Sequence, residues 1–196
     1  MFGDIELGSE FFETLVAVDE AIRARVAAGG CEHCGGPLHR SDYDRKPRGG
    51  QMAAGAELFV RRFSLCCGRE GCRRRAMPPS LRFLGRRVYV GAAVLFASML
   101  TSALTSARAC QRATGISART TRRWARWWRE GFVATAVFAQ LAAQLIGLDR
   151  RRLPACLLEA VAAAPADAAV RTVLSWLAPL TTTSVVEGSR FVRGAV

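Results

Sequence analysis

Seven cysteines stand in this 196-residue chain, and five of them fall between Cys31 and Cys72. Cys31 and Cys34 form a Cys-x2-Cys pair followed by Gly35-Gly36, and Cys66-Cys67 is followed by Cys72. Zinc takes four ligands in a tetrahedron, and two short cysteine pairs on separate turns supply them. The glycine pair lets the first turn close tightly with its amides facing the sulfurs. Either Cys66 or Cys67 completes the second pair. Cys67-x4-Cys72 is the commoner knuckle spacing, and a strand running from Leu65 to Cys67 turns Cys66 to the opposite side. His33 and His39 are the substitute ligands, but His33 sits between two cysteines and is expected to point away. Cys31, Cys34, Cys67 and Cys72 therefore read as a structural Zn2+ site. No general base or open coordination position accompanies it, so the chain is not expected to be an enzyme.

Arg73, Arg74 and Arg75 follow Cys72 directly, and Arg82, Arg86 and Arg87 extend the basic run. Held on a rigid knuckle, these side chains are placed to track a phosphate backbone. A second constellation lies at 106–128, which reads SARACQRATGISARTTRRWARWW. Ala107, Cys110, Gln111 and Ala113 mark a short helix, Gly115 a turn, and Ile116 an apolar filler between helices. Ser117 caps the next helix. In that helix Trp124, Trp127 and Trp128 recur at helical spacing and form an aromatic seam, with Thr120 and Thr121 nearby. The arginines fall mainly on the rest of the surface, as a major-groove recognition helix requires. Ser117, Arg119, Thr120, Arg122 and Arg123 are expected at or near base edges, and Arg126 and Arg129 at phosphates.

The formal net charge is +12, and almost all of the positive charge is arginine, with Lys46 the one lysine. The charge is concentrated at 31–90 and 108–129, which points to a polyanionic partner. With 51% hydrophobic residues the chain can bury a core, which excludes global disorder. The acidic start lacks a secretory signal, so a disulfide framework is not expected and the protein is placed in the cytoplasm, associated with the nucleoid. The stretch from Val88 to Ala107 is uncharged and long enough to span a bilayer, but its serines and threonines suit a buried core helix better, and no membrane association is expected.

The elements that must position these residues are mainly α with a small β zinc ribbon. An amphipathic helix over 9–28, capped by Ser9 and ended by Gly29-Gly30, carries Phe12, Leu15, Val16, Ile22 and Val26 on one face, with Asp19 as its polar break. A strand is expected from Glu57 to Leu65, with Phe59, Phe63 and Leu65 on one side. Met77-Pro78-Pro79 reads as a linker. Helices are expected near 88–104, 107–114, 118–130, 132–147, 155–164 and 167–178, with a loose tail after Thr181. Four segments result: an N-terminal helix (1–30), a zinc-ribbon domain (31–80), a helix-turn-helix region (81–131) and a C-terminal helical bundle for a partner or dimerisation (132–196).

The order Cys-x2-Cys, strand, Cys-x4-Cys-Arg-Arg-Arg, then QRATGIS-x-RTTRRWARWW resembles the DNA-binding portions of bacterial insertion-sequence transposases, over roughly 31–130. The resemblance implies Cys31, Cys34, Cys67 and Cys72 as zinc ligands and a recognition helix from Ser117 to Arg126. The family's RNase H-like domain with three acidic metal ligands is not expected here. Glu130, Asp149, Glu159, Asp167 and Glu187 lie in helical context with too little chain for it, and Tyr43 and Tyr89 do not make a nucleophile set. The expectation is a non-catalytic accessory protein of a mobile genetic element that binds double-stranded DNA and recruits a separate recombinase, transposase or other effector, as monomer or homodimer. A stand-alone transcriptional regulator and an RNA-binding or nucleoprotein-assembly factor are the alternatives.

Overall fold

The architecture is that of a computed structural model, which describes residues 9–44, 61–84, 89–103, 111–112 and 116–181. It is mainly helical with small antiparallel sheets. Helix α1 (Ser9–Gly29) buries Phe11, Phe12 and Leu15, together with Asp19 and Arg23. Gly30, at φ 72, ends it in the left-handed conformation that glycine adopts without steric cost.

The ribbon follows. Strand β1 (Leu38–Arg40) pairs with β4 (Leu65–Cys67), which pairs with β5 (Arg75–Ala76). Strands β2 (Tyr43–Asp44) and β3 (Arg61–Arg62) make a second ladder, and β6 (Phe83–Leu84) with β7 (Tyr89–Val90) a third. The strand expected from Glu57 to Leu65 is thus divided between two ladders, and its residues 57–60 lie outside the described residues. The expected alternation fails at the division, because Arg62, Phe63, Ser64 and Leu65 are all buried. The polar members are satisfied there. Arg62 Nη2 donates to the Pro78 carbonyl at 2.7 Å, and the Ser64 amide donates to Asp42 Oδ1 at 3.0 Å.

The segment expected as a linker is interior: Pro78, Pro79 and Ser80 are buried. Proline has no amide hydrogen, so its nitrogen leaves no donor to satisfy. The neighbouring polar groups converge on Asp19 of α1, which is 1% exposed. Its carboxylate accepts the Ser80 hydroxyl at 2.5 Å, the Leu81 amide at 2.6 Å and Arg82 Nε at 2.8 Å. Arg82 is itself 1% exposed and does not extend the basic rim as expected, because Asp19 and the rings of Phe63 (4.3 Å) and Phe83 (5.0 Å) enclose it. Arg23 covers the same Phe63 ring at 4.3 Å and donates to Asp42 Oδ2 at 2.5 Å. Three residues of α1 thereby reach the ribbon, since Glu20 also pairs with Arg23 and with Arg40.

Helix α2 (Gly91–Ala103) buries Ala92, Val94, Leu95 and Ser98 and packs against the basic helix α3 (Ala118–Arg126). Among the described residues no helix is long and apolar enough to cross a membrane. Helices α4 (Ala136–Gln144), α5 (Ala155–Glu159) and α6 (Ala166–Leu177) complete the fold. The run expected as helix to 164 is helical only to Glu159 and then proceeds as turns into Pro165, which disfavours helical backbone just before it. Val137, Phe138, Leu141, Leu157, Val170 and Leu174 join Phe12, Leu15, Leu95 and Trp128 in one core. The apolar faces of the C-terminal helices are used in that interior, and Ile146 is the large hydrophobic left exposed among the described residues.

Replacing Asp19 by alanine leaves the Arg82 guanidinium buried without its carboxylate. Loss of one partner of a buried pair costs about 3–5 kcal/mol. Urea unfolding of Asp19→Ala against the unaltered chain measures it; a change under about 1 kcal/mol means that water reaches Arg82.

Candidate metal centre and basic helix

The first knuckle is built by local hydrogen bonds. The amides of Cys34 and Gly35 donate to the Cys31 carbonyl at 3.2 and 2.7 Å, and the Cys31 amide donates to the Gly36 carbonyl at 2.9 Å. The second knuckle repeats the device: the amides of Cys72 and Arg73 donate to the Arg69 carbonyl at 3.2 and 3.4 Å. Gly71 at φ 82 and Arg73 at φ 47 carry its left-handed backbone. The two turns are clasped together. The Gly68 amide donates to the Pro37 carbonyl at 2.8 Å, and Arg69 Nη1 donates to the Cys34 carbonyl at 2.8 Å.

This places the sulfurs of Cys31, Cys34, Cys67 and Cys72 within 4.8 Å of one another. Cys31 Sγ lies 3.8 Å from Cys72 Sγ, and Cys34 Sγ lies 3.5 Å from Cys67 Sγ. A tetrahedron of sulfurs about 2.3 Å from a zinc ion has edges of about 3.8 Å, so the donor set fits the ion in type, number and size. Gly36 is part of the fit. A Cβ there would lie 3.2 Å from Cys67 Sγ, 3.3 Å from Cys34 Sγ and 3.0 Å from Arg69 Cβ. Backbone amides of His33 and then Cys34 face the Cys31 sulfur and bring its thiol down to about 7.

The choice between the adjacent cysteines falls on Cys67. Cys66 points out of the cluster, its Sγ donating to the Arg73 carbonyl at 3.4 Å. His33 and His39 are exposed and outside the sulfur set. Arg69 was not singled out by spacing; its position inside the second knuckle was the only signal for it.

Helix α3 has the two faces expected. Ser117 caps it, accepting the Thr120 amide at 3.3 Å. Thr121, Trp124 and Trp128 are buried, as is Ile116 at the approach to the helix, whereas Thr120 and Trp127 are half-buried. Arg119, Arg122, Arg123, Arg126 and Arg129 are exposed. The helix is α only to Arg126 and then widens into a π turn, Trp127–Gly131. The Trp127 ring lies against Gly131, where a Cβ would meet it at 2.7 Å. The wider turn brings both consecutive tryptophans onto Phe132, with ring centroids 5.6 and 5.0 Å away.

The other basic residues divide. Arg73 and Arg74 are exposed beside the second knuckle. Arg75 is also exposed, but it donates to Ser64 Oγ at 3.1 Å and lies over the Tyr43 ring. Arg86, Arg87, Gly115 and most of the short helix expected at 107–114 lie outside the described residues; Gln111 and Arg112 are helical and exposed.

Cys67→Ser is expected to abolish stoichiometric zinc retention, and Cys66→Ser to keep it. Metal analysis after gel filtration reads both, and equal loss in the two variants would remove Cys67 from the ligand set. Metal uptake displaces thiol protons. With the Cys31 thiol brought down to about 7 but those of Cys67 and Cys72 held up, apparent zinc affinity is expected to rise with pH across the whole range from 5.5 to 8.5 and to fall most steeply at its acid end, where all four thiols carry protons. Competition with a chromophoric chelator from pH 5.5 to 8.5 tests the sign.

No protein-family model, no curated protein and no solved structure matches the chain, so the functional reading rests on the sulfur cluster and the basic helix themselves.

Proposed function

We propose that this chain is a non-catalytic, zinc-stapled DNA-binding protein that marks a duplex site for a separate enzyme. The observation that carries the reading is the division of α3: Thr121, Trp124 and Trp128 buried on one side, Arg119, Arg122, Arg123 and Arg126 exposed on the other. An aromatic anchor of that size fixes the helix in the core, and the outward arginines are then presented without reorganisation to a groove lined by acceptors and flanked by phosphates. Zinc is the ion the four sulfurs suit, and its role is to hold the ribbon together. Arg73 and Arg74 on the knuckle supply backbone contacts that carry no sequence information. The motif order resembles that of the DNA-binding portions of insertion-sequence transposases, and on that resemblance the accessory role within a mobile element is proposed, with the chemistry left to the recruited recombinase or transposase.

The test is binding of the zinc-loaded chain to duplex DNA from its own genomic locus, against scrambled duplex and RNA, at 50 and 200 mM salt. Preference for the locus duplex that persists at the higher salt is expected. Equal binding that collapses with salt reduces the helix to a backbone clamp, and preference for RNA overturns the reading. Arg122→Ala is expected to cost about 1–3 kcal/mol on the preferred duplex and less on scrambled duplex.

A further inference from the structure

The reading of α3 as a recognition helix can be carried to the bases it recognises. Adenine is read by asparagine or glutamine, cytosine by aspartate or glutamate, and guanine by arginine paired with its O6 and N7. Between Ser117 and Arg129 there is no asparagine, glutamine, aspartate or glutamate. Ser117 and Thr120 were the short polar side chains expected at base edges, but the structure commits them elsewhere. Their hydroxyls lie 3.0 Å apart, and Ser117 Oγ also accepts the Thr120 amide at 3.3 Å. Thr121 is buried and donates to the Ala118 carbonyl. What faces outward is arginine, and among the described residues no side chain holds Arg119, Arg122 or Arg126. Arg129 is tethered, its Nε donating to the Ala125 carbonyl at 3.2 Å.

We infer that α3 reads guanine, and that its target is a duplex with several guanines in one stretch of major groove, contacted by Arg119, Arg122 and Arg126. This rests on the DNA-binding reading above. A helix rises about 1.5 Å per residue, so Arg119 to Arg126 spans about 10 Å. Laid along the groove, that covers about three base-pair steps at about 3.4 Å each. Arg126 thereby moves from the phosphate role expected of it to a base-reading one.

The experiment is selection of duplexes from a random pool by the full zinc-loaded chain, followed by replacement of single guanines in the selected site with 7-deazaguanine, which removes N7 and keeps base pairing. Guanine enrichment over about three or four adjacent base pairs is expected, with each replacement at a read guanine weakening binding by about fivefold or more. Arg122→Gln is expected to shift preference at one position from guanine to adenine, with unchanged circular dichroism as the check on folding. Selected sites dominated by A·T pairs, or full affinity for 7-deazaguanine duplexes, overturn the guanine assignment and leave the chain a DNA reader. Binding without any sequence enrichment removes base reading altogether, and failure to bind duplex overturns both this inference and the function it rests on.

Discussion

A carboxylate and a guanidinium almost wholly out of water hold the two halves of this molecule in register. Asp19 on the first helix gathers the hydroxyl of Ser80, the amide of Leu81 and the side chain of Arg82, all from the segment that leads out of the ribbon. Burying charges is costly, and the cost is offset here because the carboxylate is saturated with donors and the guanidinium is flanked by aromatic faces. The pair fixes where the ribbon ends and the helical core begins. Arg23, Asp42 and Phe63 extend the same contact to the ribbon strands, so the first helix serves as a strut for both parts.

On that frame the sulfur cluster and the basic helix are held by different means. The sulfur cluster is a local object, made by two turns that clasp each other through backbone amides and Arg69. The basic helix is a global one. Its orientation depends on two tryptophans seated against Phe132, and through them on the C-terminal helices. Disruption of a knuckle would therefore loosen the ribbon alone, whereas a core cavity under Trp128 would tilt the arginine face as a whole.

What was legible in the residues follows the same division. Cysteine spacing, the glycine pair and the three-and-four spacing of the tryptophans are short-range patterns, and they led to the four sulfurs that cluster and to the helix face that is buried. Long-range partnerships were not legible. Asp19 looked like a polar interruption, Arg82 like rim charge and Pro78 like a linker, because nothing near them in sequence discloses that they meet. Arg75 looked as unattached as its neighbours until β5 placed it, still exposed, beside Ser64 and Tyr43. Polar residues are poor reporters of position when their partners stand sixty residues away.

That separation also governs how the chain reaches this state. Asp19 bonds to groups 61 to 63 positions further on, and β6 touches the turn at Ala178–Thr181, so the contacts that close the core are distant along the chain. Closing such loops is slow compared with forming a knuckle or a helical turn. During synthesis the two knuckles of the ribbon can close early, while Phe11, Phe12 and Leu15 wait for the rest of the core they join. For that interval the nascent protein carries a finished ribbon beside an unfinished, sticky amphipathic helix, and its yield in a cell becomes a contest between the ribosome's pace and aggregation.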